Sequence, residues 1–419
     1  MKRREFMSAA AAAIVAPKAL SQTPNAPLLC LGSTCQSGQM TNGSSFTVTG
    51  SGFGTKSGSK PTIYDNCTST TLQAAGWTNA RPFYNITTIQ SEPWGESYRL
   101  PTATTPNGDT WGATSPCIVN PATPFRTKYL CSAAMSANQS GYAASDLMFG
   151  YGSPTLVPPF YIVLSWYETY SPNWLFSTPY PSGANDNNFK WAVYTNQTGQ
   201  LNFGGVLWYM EYQNSAFNSP TATPAIDIDD TGAGIAGKLP GSAGNYVSTP
   251  KMPNKFYNGV NGWVKKELIM KMSSGSDGWI QLHTSLPNYS NPGNAQPRFQ
   301  NYYWYNAAGI GVGISDPYSG TGRAMYLGGF RRDFPQAQNR QYWSDIYLDM
   351  QPGGVGRFAL TDTNSLTTAT VIEYQPYTSW SDTSVTLAIS KGNLSSGTVY
   401  LWYLDEVNGS RAIGSYTMS

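Results

Sequence analysis

The chain is written almost entirely in short runs that alternate or stay apolar for four to eleven residues and then stop at Gly, Pro, Asn or Ser. SSFTVTGSGFG, PPFYIVLSWYETY, NFKWAVYTN, GGVLWYMEYQ, GWVKKELIMKM, GWIQLHT, RAMYLGGFRRD, YWSDIYLDM, SVTLAIS and GTVYLWYLDEV are examples. Side chains alternate faces along an extended strand, and aromatic and β-branched residues suit a pleated surface. The intervening turn residues supply positive φ or a fixed φ. Outside the N-terminus no stretch holds a helical stripe over several turns. This pattern predicts an all-β protein built of sandwiches.

Composition supports that reading. Charged residues make up 11% of 419 residues and aromatics 14%, with 28 Tyr and 13 Trp. A typical charged share is about 25%, so Ser, Thr, Asn, Gln and Gly must supply the polar surface. The N-terminus, MKRREFMSAAAAAIVAPKALSQ, has a basic start, a short weakly apolar run and a small-residue site at Ala19-Leu20-Ser21. It reads as a signal peptide over residues 1–21. Those residues hold Lys2, Arg3, Arg4 and Lys18 against Glu5. Without them the 25 basic and 23 acidic residues of the whole chain become 21 and 22. The basicity therefore belongs to the leader, and neither a nucleic-acid partner nor membrane insertion is expected. The expected location is secreted or cell-surface.

Five cysteines, Cys30, Cys35, Cys67, Cys117 and Cys131, lie in the first third. Export permits disulfides, and an odd count leaves at least one unpaired within the chain. Cys30 with Cys35 and Cys117 with Cys131 are the local pairings, but sequence alone does not fix connectivity.

Three regions separate along the chain: a segment at 23–68, an aromatic-rich centre at 69–352, and a β segment at 357–419 after the break PGGVG. Each end segment is short for an immunoglobulin-type sandwich of about 100 residues. One domain built from both, with the centre inserted, would solve this; the sequence does not decide it.

Several resemblances rest on these residues. RREFM resembles a bacterial twin-arginine leader. FTVTGSGFGTK, followed by PTIYDN, is similar to the opening hairpin of IPT/TIG immunoglobulin-like modules, with Gly50, Gly52 and Gly54 expected at positive φ. GWVKKELIMKMSSGSDGWIQLHT, RAMYLGGF and YWSDIYLD resemble concanavalin-A-like jelly rolls, a fold shared by polysaccharide lyases and noncatalytic carbohydrate-binding modules. YQPYTSWSDTSVTLAIS with YLWYLDEVNGS resembles a β module common at the ends of secreted bacterial proteins. The expected architecture is a jelly-roll β-sandwich with immunoglobulin-like terminal β elements.

The candidate chemistry is sparse. His283 is the single histidine. QLH, Gln281 to His283, resembles the Q-[IV]-H motif of alginate lyases, in which the Gln and His line the sugar groove and a nearby Tyr supplies the proton. That resemblance makes His283 the candidate base, but the partner motifs RxExR and YFKxGxYxQ are absent. In GWVKKELIMKM the even positions are mostly apolar, while Lys265, Glu267 and Lys271 share the odd face, expected to meet solvent or a groove. If Met272 pairs with Trp279, His283 falls beside Leu268; a slip of one residue puts it beside Glu267. Both registers stay open.

Trp166, Tyr167 and Tyr170, then Trp208, Tyr209 and Tyr212, then Tyr302 to Tyr305 offer rings on which sugar C–H faces stack. Arg331 and Arg332, with Arg323 and Arg340 near them, could fork onto glycan carboxylates. Glu168, Glu211 and Glu267 lack the one-strand spacing of jelly-roll glucanases, although a pair from different strands would still suit a glycosidase. Asp227, Asp229 and Asp230 precede glycines and are read as a structural calcium site or as a solvated loop. No other cofactor is expected. The leading expectation is an extracellular polysaccharide binder with an aromatic-lined sheet, using Trp166, Trp208, Lys265, Glu267, Gln281, Arg331 and Arg332. The alternatives are a uronic-acid lyase acting by β-elimination and a structural surface or filament protein.

Overall fold

A computed structural model describes residues 28–29, 36–67, 75–77, 79–82, 130–133, 147–170, 189–195, 206–212, 226–229, 246–248, 264–274, 278–284, 300–303, 322–331, 340–366, 368–407 and 410–419, some strands by backbone path and register alone. Every regular element among them is a strand. In chain order these are β1 (Leu28–Leu29), β2 (Gln36–Gly38), β3 (Ser45–Ser51), β4 (Ile63–Asp65), β5 (Asn79–Pro82), β6 (Leu130–Ala133), β7 (Leu147–Ser153) and β8 (Phe160–Tyr170). There follow β9 (Phe189–Thr195), β10 (Val206–Tyr212), β11 (Ile226–Asp229), β12 (Tyr246–Ser248), β13 (Val264–Met272), β14 (Trp279–Thr284), β15 (Gln300–Tyr303), β16 (Arg323–Arg331) and β17 (Arg340–Gln351). The last are β18 (Arg357–Thr361), β19 (Ile372–Gln375), β20 (Tyr377–Trp380), β21 (Ser384–Ala388), β22 (Gly397–Leu404) and β23 (Arg411–Met418).

Two seven-stranded antiparallel sheets form a jelly-roll-type sandwich. The central sheet runs β15-β14-β13-β8-β17-β4, with β6 also on β17; the other runs β12-β11-β10-β9-β16-β7-β5. Phe160, Ile162, Leu164 and Trp166 of β8, Leu268, Met270 and Met272 of β13, and Ile346, Leu348 and Met350 of β17 fill the core between them. Phe160 meets Tyr194 of the opposite sheet at 6.3 Å between ring centroids.

The two ends of the chain share a second, smaller sandwich. One sheet, β1-β3-β21-β20 with β2 on β3, joins strands more than 300 residues apart: Val48 pairs with Val385 and Phe46 with Leu387. The other sheet runs β19-β18-β22-β23. Their common core holds Met40, Phe46, Val48 and Phe53 from the N-terminal side with Phe358, Val385, Leu401 and Tyr403 from the C-terminal side. The alternation in β3 and β21, buried at every second residue, is the signature of a sheet with one solvated face.

This terminal sandwich packs on the outer face of the central sheet. Tyr161, Val163, Ser165 and Tyr167 of β8 therefore lie under protein as well, and the long run PPFYIVLSWYETY is buried on both faces over Ile162–Glu168. A register shift in β17 between Ser344 and Tyr347, with Asp345 at φ 48°, makes this packing fit. A bulge changes side-chain parity, so Tyr347 and Asp349 point to the outer face while Ile346 and Leu348 enter the sandwich core.

The PGGVG break is the five-residue link from β17 to β18. Gly353 has φ +110°, and a Cβ there would stand 1.8 Å from the Thr55 carbonyl oxygen. Gly354 has φ +124° and nothing within 4 Å. In the FTVTGSGFG hairpin, Gly52 and Gly54 take positive φ as expected. Gly50 does not: it lies within β3 opposite Leu29, and its N–H donates to Thr383.

The two linker glycines give the first prediction. Gly354→Ala should cost about 1–2 kcal/mol from backbone strain alone, and Gly353→Ala at least about 3 kcal/mol because strain and a backbone clash add. Urea unfolding of the two variants measures the difference; equal losses would contradict the close approach of Thr55.

Candidate functional site

The one-residue slip is the register that forms: Lys271 pairs with Trp279, and Glu267 with His283. A continuous row of in-register partners then crosses six strands, namely Asn301, His283, Glu267, Ser165, Tyr347 and Tyr64. Every member is polar or phenolic. For Asn301 and His283 the structure describes the backbone register alone.

The middle of this row is closed by the terminal sandwich. Glu267 is 1% exposed. Its Oε1 accepts from Arg357 Nε at 2.8 Å and Nη2 at 2.8 Å, and from the Tyr374 hydroxyl. The same guanidinium grips Glu406 with two parallel bonds of 2.7 and 2.8 Å. Burial alone would lower the Arg357 pKa, but the two carboxylates outweigh it and hold the group well above its ordinary value. Lys265 lies between the Tyr167 and Tyr374 rings, 4.4 Å from each centroid. The Tyr167 hydroxyl donates to the Ile372 carbonyl at 2.9 Å, and the Ile372 N–H returns to it at 3.2 Å. Around these polar contacts Val163, Ile269, Val355, Ala359, Ile372 and Leu404 form an apolar cluster. Fully burying such side chains contributes about 1.5–3 kcal/mol each, whereas a buried ion pair nets little. Hydrophobic burial therefore holds the interface, and the charges set its alignment.

This arrangement corrects several expectations. Lys265 and Glu267 do sit on the odd face of β13, but that face meets the terminal sandwich and neither solvent nor a groove. Trp166 is fully buried on the opposite face, with its indole N–H donating to Glu168 Oε2 at 2.8 Å. Tyr167 is buried as well, so these rings cannot stack on an external sugar. Glu168 pairs inside the jelly-roll core with Lys266, both without exposure. Arg323 is likewise interior and donates to the Gly322 carbonyl at 2.9 Å. It is not a surface cation. The common cause is that both faces of the central strands are covered, which alternation within one strand cannot reveal.

Other candidates are placed by backbone only. Trp208 pairs with Tyr194, Gln281 with Ile269 and Tyr303, Arg331 with Phe189, and Asp227 and Asp229 with Ser248 and Tyr246. Arg332, Asp230, Trp304, Tyr305, the leader at 1–21, Cys30, Cys35 and Cys117 lie outside the described residues. Among the described residues no group of three or more His, Cys, Asp and Glu could hold a metal ion. Cys67 is buried, with its thiol 3.7 Å from the Trp343 carbonyl oxygen.

The open part of the same face lies at the other end of the strands. Trp279 and Tyr161 are both half-buried, 6.5 Å apart between centroids with planes at 57°, and Lys271 beside them is also half-buried. The sequence reading passed over Trp279 and Tyr161. The signal was present in GWIQLHT, where Trp279 is two and four residues from Gln281 and His283.

Protonation follows burial. Tyr347 and Tyr374 are pushed well above the usual phenol value, first by desolvation and then by the nearby charges of Asp349 and Glu267 respectively. They stay protonated and are not bases near neutral pH. Desolvation lowers Lys266 to about 8 despite Glu168. The unfolded chain thus binds a proton at Lys266 between about pH 8 and 10.5 that the folded chain has lost, so this group adds stability as pH rises through that window. Above about pH 10 the buried tyrosines reverse the trend, because the unfolded phenols ionise while the folded ones do not. Urea midpoints across pH 7–11 should show a rise and then a fall, and Lys266→Met should lack the rising limb.

Substitutions test the interface itself. Arg357→Met should cost about 3–5 kcal/mol by leaving Glu267 buried without its partner, and adding Glu267→Met should restore part of that loss. Tyr374→Phe should cost about 2 kcal/mol, as it removes a donor to a carboxylate. Tyr347→Phe should stay within about 0.5 kcal/mol, since among the described residues its hydroxyl has no hydrogen-bond partner. A strongly destabilising Tyr347→Phe would refute that geometry.

No protein-family model matches the chain, and no curated protein matches it by sequence. Among solved structures it is similar to an endo-β-1,4-glucuronan lyase from the fungus Trichoderma reesei, at 12% identity and TM-score 0.35, over 69% of this chain and 95% of that one. It is similar to an alginate lyase from Pseudomonas aeruginosa at 10% identity and TM-score 0.26, over 54% and 82%. It is also similar to lectin II from Ulex europaeus at 10% identity and TM-score 0.28, over 54% and 88%.

Proposed function

We propose that the chain is an exported protein that binds extracellular polysaccharide at the Tyr161–Trp279 end of the central sheet. The carrying observation is the half-buried pair itself, two large rings beside the cation of Lys271. Aromatic faces accept sugar C–H groups while their polar tips bond to hydroxyls, and a lysine beside them suits an acidic glycan. The leader pattern at 1–21, the low charge and the aromatic-rich composition support an extracellular setting.

A second reading, a β-eliminating lyase, is favoured by one observation: the register that sets His283 opposite Glu267. A catalytic base must reach its substrate, and in this row Glu267, Ser165 and Tyr347 are roofed by Arg357 and Tyr374. Binding without turnover is therefore the stronger reading. A structural surface or filament role remains the third.

Electrophoresis in gels containing a panel of neutral and uronic-acid polysaccharides separates these. The protein should be retarded by at least one acidic glycan, and Trp279→Ala should weaken that retardation about tenfold, or ~1.4 kcal/mol. Retardation by none of the panel removes the binding reading. Release of ultraviolet-absorbing unsaturated ends would replace it with the lyase, and assembly into fibres without either would favour the structural role.

A further inference from the structure

A second buried knot lies where the N-terminal segment, the end of β17 and β20 meet. Lys56 Nζ contacts Asp349 Oδ2, and the two side chains are 1% and 2% exposed. The lysine's Nζ lies 4.6 Å from the Trp380 centroid and 5.3 Å from that of Tyr377, and the two rings close the site on one side. The other carboxyl oxygen, Oδ1, accepts from Gln351 Nε2 and from the Tyr377 hydroxyl at 3.2 Å. That hydroxyl is also 3.4 Å from Oδ2. Burial, and then the charge of Asp349, push the Tyr377 phenol far above its ordinary value, so it keeps its proton as a donor. The contact spans 293 residues of chain.

We propose that Lys56 and Asp349 condense into an intramolecular amide that locks the N-terminal segment to the central sheet. An amine and a carboxyl held in direct contact and buried from the surface need no encounter step, which removes much of the entropic barrier to reaction. Donors on Oδ1 are placed to stabilise the negative charge that develops when nitrogen attacks the carboxyl carbon. The reacting pair is the neutral amine and the neutral acid, reached by moving one proton from Nζ to Oδ2 within the contact. Nζ then bonds to Cγ, and the Cγ–Oδ2 bond breaks. Oδ2 leaves as water, taking its second hydrogen from Nζ across the same contact. One C–N bond forms, one C–O bond breaks, one water is released, and nothing is oxidised or reduced. Two charges buried at a cost of several kcal/mol each become a neutral amide. The cross-link would join chain segments that otherwise meet through strand pairing, packing and hydrogen bonds such as those of Ser57 and Gly58 to Gln351.

Intact mass spectrometry of the full purified chain, reduced and denatured, reads this directly. The expected mass is that of the processed sequence minus one water, and a proteolytic fragment should contain the peptides of Lys56 and Asp349 joined. Lys56→Arg should restore the full mass. Asp349→Asn should lose one ammonia instead of one water. A wild-type mass equal to the processed sequence overturns the proposal. A water loss that maps elsewhere, for example to the other buried contact between Lys266 and Glu168, overturns it equally. Neither result depends on whether the protein binds a glycan.

Discussion

Arg357 is buried with one carboxylate on each side of the junction it spans: Glu267 in the central sheet and Glu406 beyond β22 of the terminal sandwich. A buried guanidinium is tolerable only with its donors satisfied, and a planar fork meets two carboxylates better than any point charge. Its position depends on the five-residue link that precedes it, whose Gly353 passes too close to Thr55 for any side chain. It depends equally on β13 presenting Glu267 outward and on the β17 bulge presenting Tyr347 beneath Tyr374. These features fix one docking of the two sandwiches, and the surrounding apolar cluster supplies the stability.

That docking determines where function can reside. The polar row from His283 to Tyr64 has the composition of a site, yet its middle is sealed and its Tyr347 phenol is held protonated. The half-buried residues of this face lie toward the strand ends, where Tyr161, Trp279 and Lys271 reach the edge of the cover. The Lys56–Asp349 contact belongs to the same junction: both it and Arg357 tie the discontinuous terminal sandwich to the sheet that separates its two halves in sequence.

Much of the local structure was legible. Strands such as VKKELIMKM, SVTLA and GTVYLWYL follow from alternation, and the PGGVG break coincides with the link between β17 and β18. Gly52 and Gly54 take the backbone that their hairpin requires. The site was far less legible. Trp166 appeared as one member of an aromatic strip but is a core residue, and Lys265 and Glu267 appeared as groove residues but are interface charges. Alternation says that two faces differ, not what covers each of them. Trp279 was overlooked because its exposure depends on how far the terminal sandwich extends over β14.

The all-β character of the chain, its main strands and its turns are readable from local sequence, because those features depend on side-chain period and backbone freedom within a few residues. The folded chain alone reveals that His283 pairs opposite Glu267, that residues near both ends share one core, and that a run of polar positions is buried. The hairpin register depends on the turn between β13 and β14, where a slip of one residue exchanges the faces; the covering of a face is set by contacts between residues far apart in the chain, and no local pattern encodes which distant surface arrives.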